Sequence, residues 1–429
     1  MFTNTYLPHV GGVARSVSSC VKAYRELGHE TLVFTPEFEE GSPEDEGVVY
    51  LPAITNFNNS GFSVRLPSPL TISDQLDAFE PDVIHSHHPF LLGDAALRVA
   101  YAREIPLVFT HHTLYERYTD YLPFHGEFAQ KAAATLATEY ANACDMVFAP
   151  SESLANLIVR RGVKTPVTTQ PTGVDIERFA GGDGHAFRRE HGIGRNRFLI
   201  GHVGRLAHEK NLDYLCDAVS AFLKSAPEAT LAMVGGGDQE DSLRARFEEH
   251  GVTEQALMVG KLQGEALMNA YAAFDVFAFS SQSETQGLVL VEAMASGSPV
   301  VALDGPGVRD VLFHEENGLL LQGDAAPERF TEGLARLMKD RDFLANCGQR
   351  AAEVARGYEL KILAKRALDR YGELIRSERH ERRDGLLENF ESFAAALEAE
   401  WELLKARASA AVAGVGLVAD DEGKNVELK

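Results

Sequence analysis

Short apolar runs alternate with longer stretches in which apolar residues recur every three or four positions, and this rhythm fills most of the chain. Thr31-Leu32-Val33-Phe34, Val83-Ile84-His85, Leu107-Val108-Phe109-Thr110 and Met146-Val147-Phe148-Ala149 read as buried strands. The stretches between them read as helices, which predicts parallel sheets covered on both faces. The pattern restarts at Phe198-Leu199-Ile200-Gly201-His202-Val203. It continues through Ala229 to Val234, Ala256 to Val259, Val276-Phe277-Ala278-Phe279 and Pro299-Val300-Val301-Ala302. Two doubly wound α/β domains in tandem follow, covering residues 1–172 and 173–357. The polar segment Val167-Thr168-Thr169-Gln170-Pro171-Thr172-Gly173-Val174-Asp175 suits the linker between them. Two such sheets face each other across a cleft at their carboxyl ends, where open α/β sheets take ligands.

Beyond Gly357 the pattern is purely helical. Leu360, Leu363, Ala367, Leu368, Tyr371 and Leu374 form one apolar face over residues 358–384, a helix expected to pack back on the first domain. In the extension 385–429, Leu386, Phe390, Phe393, Leu397, Trp401 and Leu404 make a second stripe before a frayed tail. That stripe suits packing on the body of the protein, a homodimer through 386–404, or membrane contact.

Composition narrows the partners. The 429 residues carry 63 acidic and 41 basic side chains, a formal charge of -22, which argues against nucleic acid as the main partner. Anionic membrane is disfavoured too, unless a local basic patch overrides the total; Arg376 to Arg383 is locally basic but better suits a solvated helix face. Cys20, Cys144, Cys216 and Cys347 have no metal-ligand or redox spacing and suit reduced thiols in a cytoplasm. No basic segment followed by an apolar run opens the chain, and the apolar stretch from Ala408 to Ala419 is shorter than the roughly 20 residues a spanning helix needs.

The strongest constellation is Ser283-Glu284-Thr285-Gln286-Gly287-Leu288-Val289-Leu290-Val291-Glu292, between two predicted strands. Gly287 allows close approach of backbone to a ligand and opens a helix whose first amides favour phosphate. Glu284 precedes that helix and reaches hydroxyls beyond the phosphates; Glu292 lies further in. A capped, packed helix is the competing reading. The second cluster, His202-Val203-Gly204-Arg205-Leu206-Ala207-His208-Glu209-Lys210, follows the first strand of the second domain. Arg205 and Lys210 converging there suit a diphosphate and the charge that develops as it leaves; a solvated loop is the alternative. In the first domain, Gly11 and Gly12 precede a helix and permit backbone approach to phosphate or sugar, or make a simple turn. His85-Ser86-His87-His88 and His111-His112 end predicted strands and so face the same cleft. They suit polar contacts to a sugar or a zinc ion, although no carboxylate ligand set accompanies them. Gly235-Gly236-Gly237-Asp238 lacks the spacing of a dinucleotide site, and Asp340-Arg341-Asp342 sits inside a helical pattern.

Together these motifs resemble the family-4 retaining glycosyltransferases of the GT-B fold, over about residues 1–380. The resemblance implies two Rossmann-like domains with a helical C-terminal extension, a nucleotide-sugar donor and no metal or other cofactor. It implies that Glu284 contacts the donor hexose, Glu292 the ribose, and Arg205 and Lys210 the diphosphate. Gly204, Gln286, Gly287 and Leu288 would join the donor site, Leu262 would lie against the base, and Gly12 beneath the donor. His112 would face the transferred sugar, so that His112, Arg205, Lys210 and Glu284 carry the reaction. Glu284-Thr285-Gln286-Gly287 and the run from His112 to Tyr118 look like the branch that includes diacylglycerol glucosyltransferases. That makes UDP-glucose the first choice of donor and a lipid or small molecule the acceptor, with peripheral contact at the inner membrane face. His85, His87, Tyr115 and Tyr118 are the acceptor-side candidates; with Tyr121, Phe124 and Phe128 the two tyrosines either line an entrance or pack under a long loop. One departure opposes the lipid: residues 1–175 hold 11 Lys and Arg against 21 Asp and Glu. Another is the start, where relatives carry a full first strand before the equivalent of Phe2-Thr3-Asn4-Thr5, so a shortened central strand is expected. Restoring upstream residues would then raise thermal stability. A GDP-mannose-dependent transferase, a nucleotide-sugar epimerase and a binding module without catalysis are the competing functions.

Overall fold

The computed structural model describes residues 1–9, 11–38, 45–54, 64–65, 69–117 and 127–377. Tyr118, Tyr121, Phe124 and the stripe 386–404 lie outside these residues.

The first domain runs α1 (Gly12–Glu26), β1 (Val33–Pro36), β2 (Val48–Leu51), β3 (Ala53–Ile54), β4 (Val64–Arg65), α2 (Pro69–Phe79), β5 (Ile84–Ser86), α3 (Leu92–Arg103), β6 (Leu107–Thr110), α4 (Glu127–Asn142), β7 (Met146–Ala149), α5 (Glu152–Arg160) and β8 (Val167–Thr169). Strands β5 to β8 form a parallel sheet, and β1 and β2 a parallel pair. Phe2 joins the two, bridging Phe34 on one side and Ser86 on the other. Its amide donates to the His85 carbonyl (2.9 Å), and the His87 amide donates to its carbonyl (3.0 Å). Residues 1–3 therefore act as a short strand at the centre of the sheet, and the Phe2 ring is buried against Phe34. Val167–Thr169, expected in the linker, instead forms the edge strand β8, as three consecutive β-branched residues favour.

The second domain runs α6 (Ile176–Ala180), α7 (Gly184–Glu190), β9 (Phe198–Val203), α8 (Leu212–Ser225), β10 (Ala229–Val234), α9 (Glu240–Glu249), β11 (Ala256–Gly260), α10 (Gly264–Ala273), β12 (Val276–Phe279), α11 (Leu288–Ala295), β13 (Val300–Leu303), β14 (Gly318–Leu321), α12 (Pro327–Lys339) and α13 (Arg341–Arg356). Its parallel sheet has the order β11-β10-β9-β12-β13-β14. Strand order reverses between β9 and β12, which leaves a crevice at their carboxyl ends. Both faces are buried: Phe198 and Ile200 pack on one side of β9, Leu199 and Val203 on the other. Gly201 is required there, because the Phe274 ring fills the place of a side chain.

The chain returns through α14 (Leu360–Arg376), whose Ala364, Ala367 and Tyr371 complete a first-domain core with Ala23, Tyr24, Val108 and Phe148. The two crossings between domains lie side by side: the Val174 amide donates to the Tyr358 carbonyl (2.8 Å) and the Leu360 amide to the Val174 carbonyl (3.0 Å). A Cβ on Gly173 would fall 2.4 Å from the Leu360 Cα, so only glycine fits this crossing. Asp340 caps α13 through the Phe343 amide, which accounts for the Asp-Arg-Asp sequence as a helix start. Among the described residues no helix is long and apolar enough to cross a membrane, and the four cysteines are free thiols.

Candidate active site

Two loops build the second-domain wall of the cleft. After β9, Gly204 is pinned by its amide to the Val234 carbonyl (3.0 Å). The Gly235-Gly236-Gly237 turn lies directly against it: a Cβ on Gly235 (φ +148°) would stand 1.8 Å from the Gly204 oxygen, and one on Gly237 2.2 Å from the Leu206 oxygen. These glycines thus let the β10 turn pack directly against the loop that follows β9. Gly260 ends β11 with φ +83°, bringing Lys261 beside Gly236 and leaving Leu262 half-buried against the core. Lys210 ends a short 3-10 turn, His208–Lys210. Ser280, just past β12, clamps this turn by donating to the carbonyls of Lys210 (3.1 Å) and Asn211 (2.9 Å).

That clamp joins the two loops at their charged side chains. Lys210 Nζ donates to Glu284 Oε1 at 2.6 Å, and Ser281 Oγ donates to the same oxygen at 3.2 Å. Burial alone pushes the Glu284 carboxyl up; the Lys210 ammonium and the Ser281 hydroxyl outweigh it and hold the group below its ordinary range. Arg205 sits at the same rim, ion-paired to Glu209. Gly287 adopts φ +72°, the left-handed conformation that turns the chain into α11, with Leu288 as the first helical residue.

Two donor-site expectations meet competing partners. The Gln286 amide bridges the domains, accepting from the Thr172 amide and donating to the Thr172 carbonyl, both at 2.8 Å. One carbonyl lone pair and one amide hydrogen are thereby engaged, and the buried side chain ties the hinge. Glu292, also buried, is ion-paired to Arg15 from the first turn of α1 and accepts from the Tyr271 hydroxyl at 2.7 Å. Arg15 and Tyr271 went unseen in the sequence, although Arg15 lies one helical turn past Gly12. A Cβ on Gly12 would meet no atom within 4 Å, so the cleft is open beneath that helix start.

The first-domain wall departs further from expectation. His85 is a core residue: its Nε2 pairs with Thr110 Oγ1 and its Nδ1 with the Tyr371 hydroxyl, each at 2.7 Å. Tyr115 is buried, packing edge-on against Phe90 and beside His111. His112 does reach the site, its carbonyl accepting from Thr285 Oγ1 at 2.7 Å. His87 Nδ1 lies 2.9 Å from His112 Nε2. Ser153 adds another bridge between domains, its amide donating to the Asp310 carboxylate at 2.9 Å and its hydroxyl bonding the second oxygen. Among the described residues no three His, Cys, Asp or Glu side chains converge as a metal-ligand set.

The family model described as Glycosyltransferase Family 4 matches residues 10–178, and Glycosyl transferases group 1 matches residues 184–354. The alpha-monoglucosyldiacylglycerol synthase of Acholeplasma laidlawii is 26% identical over 87% of this chain and 96% of its own length. The GDP-mannose-dependent alpha-mannosyltransferase of Mycobacterium tuberculosis is 30% identical over 81% and 89%. Among solved structures, Anabaena HepE in complex with UDP superposes with a TM-score of 0.69 at 20% identity, covering 87% of this chain and 98% of that one. Sucrose-phosphate synthase from Thermosynechococcus elongatus superposes with a TM-score of 0.72 at 20% identity, covering 85% and 94%.

Proposed function

The chain belongs to glycosyltransferase family 4, with the GT-B fold, and from that membership we propose that it moves glucose from UDP-glucose to a hydroxyl of diacylglycerol, retaining the anomeric configuration and using no metal. The observation that carries the reading is the Lys210–Glu284 pair at 2.6 Å in the β9/β12 crevice, beside Arg205 and opposite His112. Without ligand the two charges satisfy each other. A diphosphate draws the Lys210 ammonium to itself and leaves Glu284 to accept from sugar hydroxyls, so each partner is exchanged for one on the donor. The ribose diol replaces Arg15 on Glu292 in the same way. Gly204, Gly287 and Leu288 offer backbone to the phosphates, and Leu262 apolar surface to the base.

In the reaction the bond from the anomeric carbon to the diphosphate oxygen breaks. The acceptor oxygen bonds that carbon from the same face, and its proton passes to the departing phosphate. Arg205 and Lys210 supply the positive charge that stabilises the leaving group, and the interdomain contacts at Thr285, Gln286 and Ser153 keep water from the closed cleft. The lipid acceptor draws support from the A. laidlawii relative. The mannosyltransferase relative supports GDP-mannose as a second donor.

The test is nucleotide release by the purified protein from UDP-glucose or GDP-mannose in EDTA, with and without diacylglycerol vesicles, with the product anomer identified. Vesicle-dependent UDP release and an α-glucoside are expected. GDP-mannose turnover alone replaces the donor, loss in EDTA removes the metal-free mechanism, and turnover indifferent to vesicles removes the lipid acceptor.

A further inference from the structure

His87 directly follows β5 and His112 follows β6, neighbouring strands of the first-domain sheet, which sets the two rings side by side with centroids 5.2 Å apart and an interplanar angle of 28°. They flank a cavity of about 20 Å³, room for a single water. Resting on the reading of His112 as a site residue, we propose that His87 is a positioning residue for the transfer: its Nδ1–H donates to His112 Nε2, fixing the His112 ring so that its Nδ1–H is the donor offered to the sugar.

The direction of that bond follows from the other nitrogens. Burial pushes both rings far below the ordinary histidine range, reinforced at His87 by neighbouring His85 and His112, so each ring is neutral with one N–H. One proton therefore lies between Nδ1 of His87 and Nε2 of His112, 2.9 Å apart. If His112 donated it, His87 would carry its own proton on Nε2, which is buried with no hydrogen-bond partner. An orphaned buried N–H is rarer and costlier than an orphaned lone pair. With His87 donating, its Nε2 keeps only a lone pair, and His112 carries its proton on Nδ1. The Thr285 hydroxyl on the His112 carbonyl fixes the backbone against the Glu284-Thr285-Gln286-Gly287 turn, leaving the ring torsions for His87 to hold.

Asparagine places an amide nitrogen near the position of histidine Nδ1, and glutamine near that of Nε2. His87→Asn should retain the donor and His87→Gln should lose it, while His87→Phe keeps the ring without nitrogens. Measured as UDP release from UDP-glucose, H87F and H87Q are expected to lower kcat about 10- to 100-fold, with donor KM within about threefold, and H87N to stay within about threefold of the parent. In a His112→Ala background, H87F should cause no further loss. Equal activity of H87N and H87Q overturns the proposal, and this contrast decides the matter if H87F does not fold. Equal losses from H87F with and without His112 reduce His87 to packing and overturn it too. Normal turnover by H112A alone removes His112 from the site and the proposal with it, an outcome distinct from normal H87F beside impaired H112A, which refutes only the role of His87.

Discussion

Replacing Lys210 by Met keeps most of the side-chain volume and removes the charge that holds Glu284. Both side chains are largely enclosed, 16% and 19% exposed, so the abandoned carboxylate recovers little hydration. Loss of one charge-assisted hydrogen bond at such a site costs about 2–3 kcal/mol, or roughly 4–12 °C in the melting temperature of a domain this size. The pH dependence carries the sharper test. Glu284 has a lowered pKa in the folded protein, so its contribution is fully present above the unfolded glutamate value of about 4.3. It is lost as pH falls through the lower folded value. In K210M, burial is opposed only weakly and the folded pKa rises. The stability gap between parent and variant should therefore be widest near pH 7, begin to shrink as the pH falls through the raised value in K210M, and close only below the lowered value of the parent. Calorimetry of both proteins from pH 7.5 to pH 4 measures it, and a gap of constant size across that range refutes the assignment of the pair. UDP-glucose turnover by K210M should fall at least about 100-fold.

Glu284→Gln should also lower turnover by about 100-fold or more while changing the melting temperature less than K210M, since an amide can still accept from Lys210; near-normal turnover would count against its role. Gly235→Ala puts a Cβ 1.8 Å from the Gly204 oxygen, so soluble yield should collapse or the affinity for UDP fall several-fold, checked by expression yield and isothermal titration with UDP. Gln286→Leu strips both backbone bonds from Thr172, and small-angle scattering should show a larger radius of gyration for the unliganded protein. Tyr371→Phe removes the hydroxyl from His85 and Tyr24 and should cost about 1–2 kcal/mol in urea unfolding, with donor KM unchanged.

Much of the fold was legible because the main sheet of each domain is parallel and doubly covered, which makes its central strands continuous apolar runs. Leu107–Thr110, Met146–Ala149, Phe198–Val203, Ala229–Val234 and Val276–Phe279 have the bounds the pattern predicts. Val48–Leu51 and Gly318–Leu321 went unseen; they are edge strands, where a short run is enough. Lys210 and Glu284 were readable as neighbours in one crevice because each follows a strand of the same sheet. Pairings that arise only when the domains meet were not: Arg15 and Glu292 are 277 residues apart, and no local periodicity records the closure that joins them. His85 shows the converse. Its place at a strand end suggested the cleft, but the tyrosine that claims it comes from α14, 286 residues later.

The late return of α14 also governs how the protein is made. The Gln170 side chain donates to the Leu363 carbonyl across 193 residues of chain, and at 5–20 residues per second a ribosome needs roughly 10–40 s to bridge that interval. During it the first domain has all its strands but lacks the helix that covers Tyr24, Val108 and Phe148. The second domain closes its own cores without α14. The domain synthesised first is thus the last to be finished, and its bare apolar face is the surface a nascent-chain chaperone would need to shield.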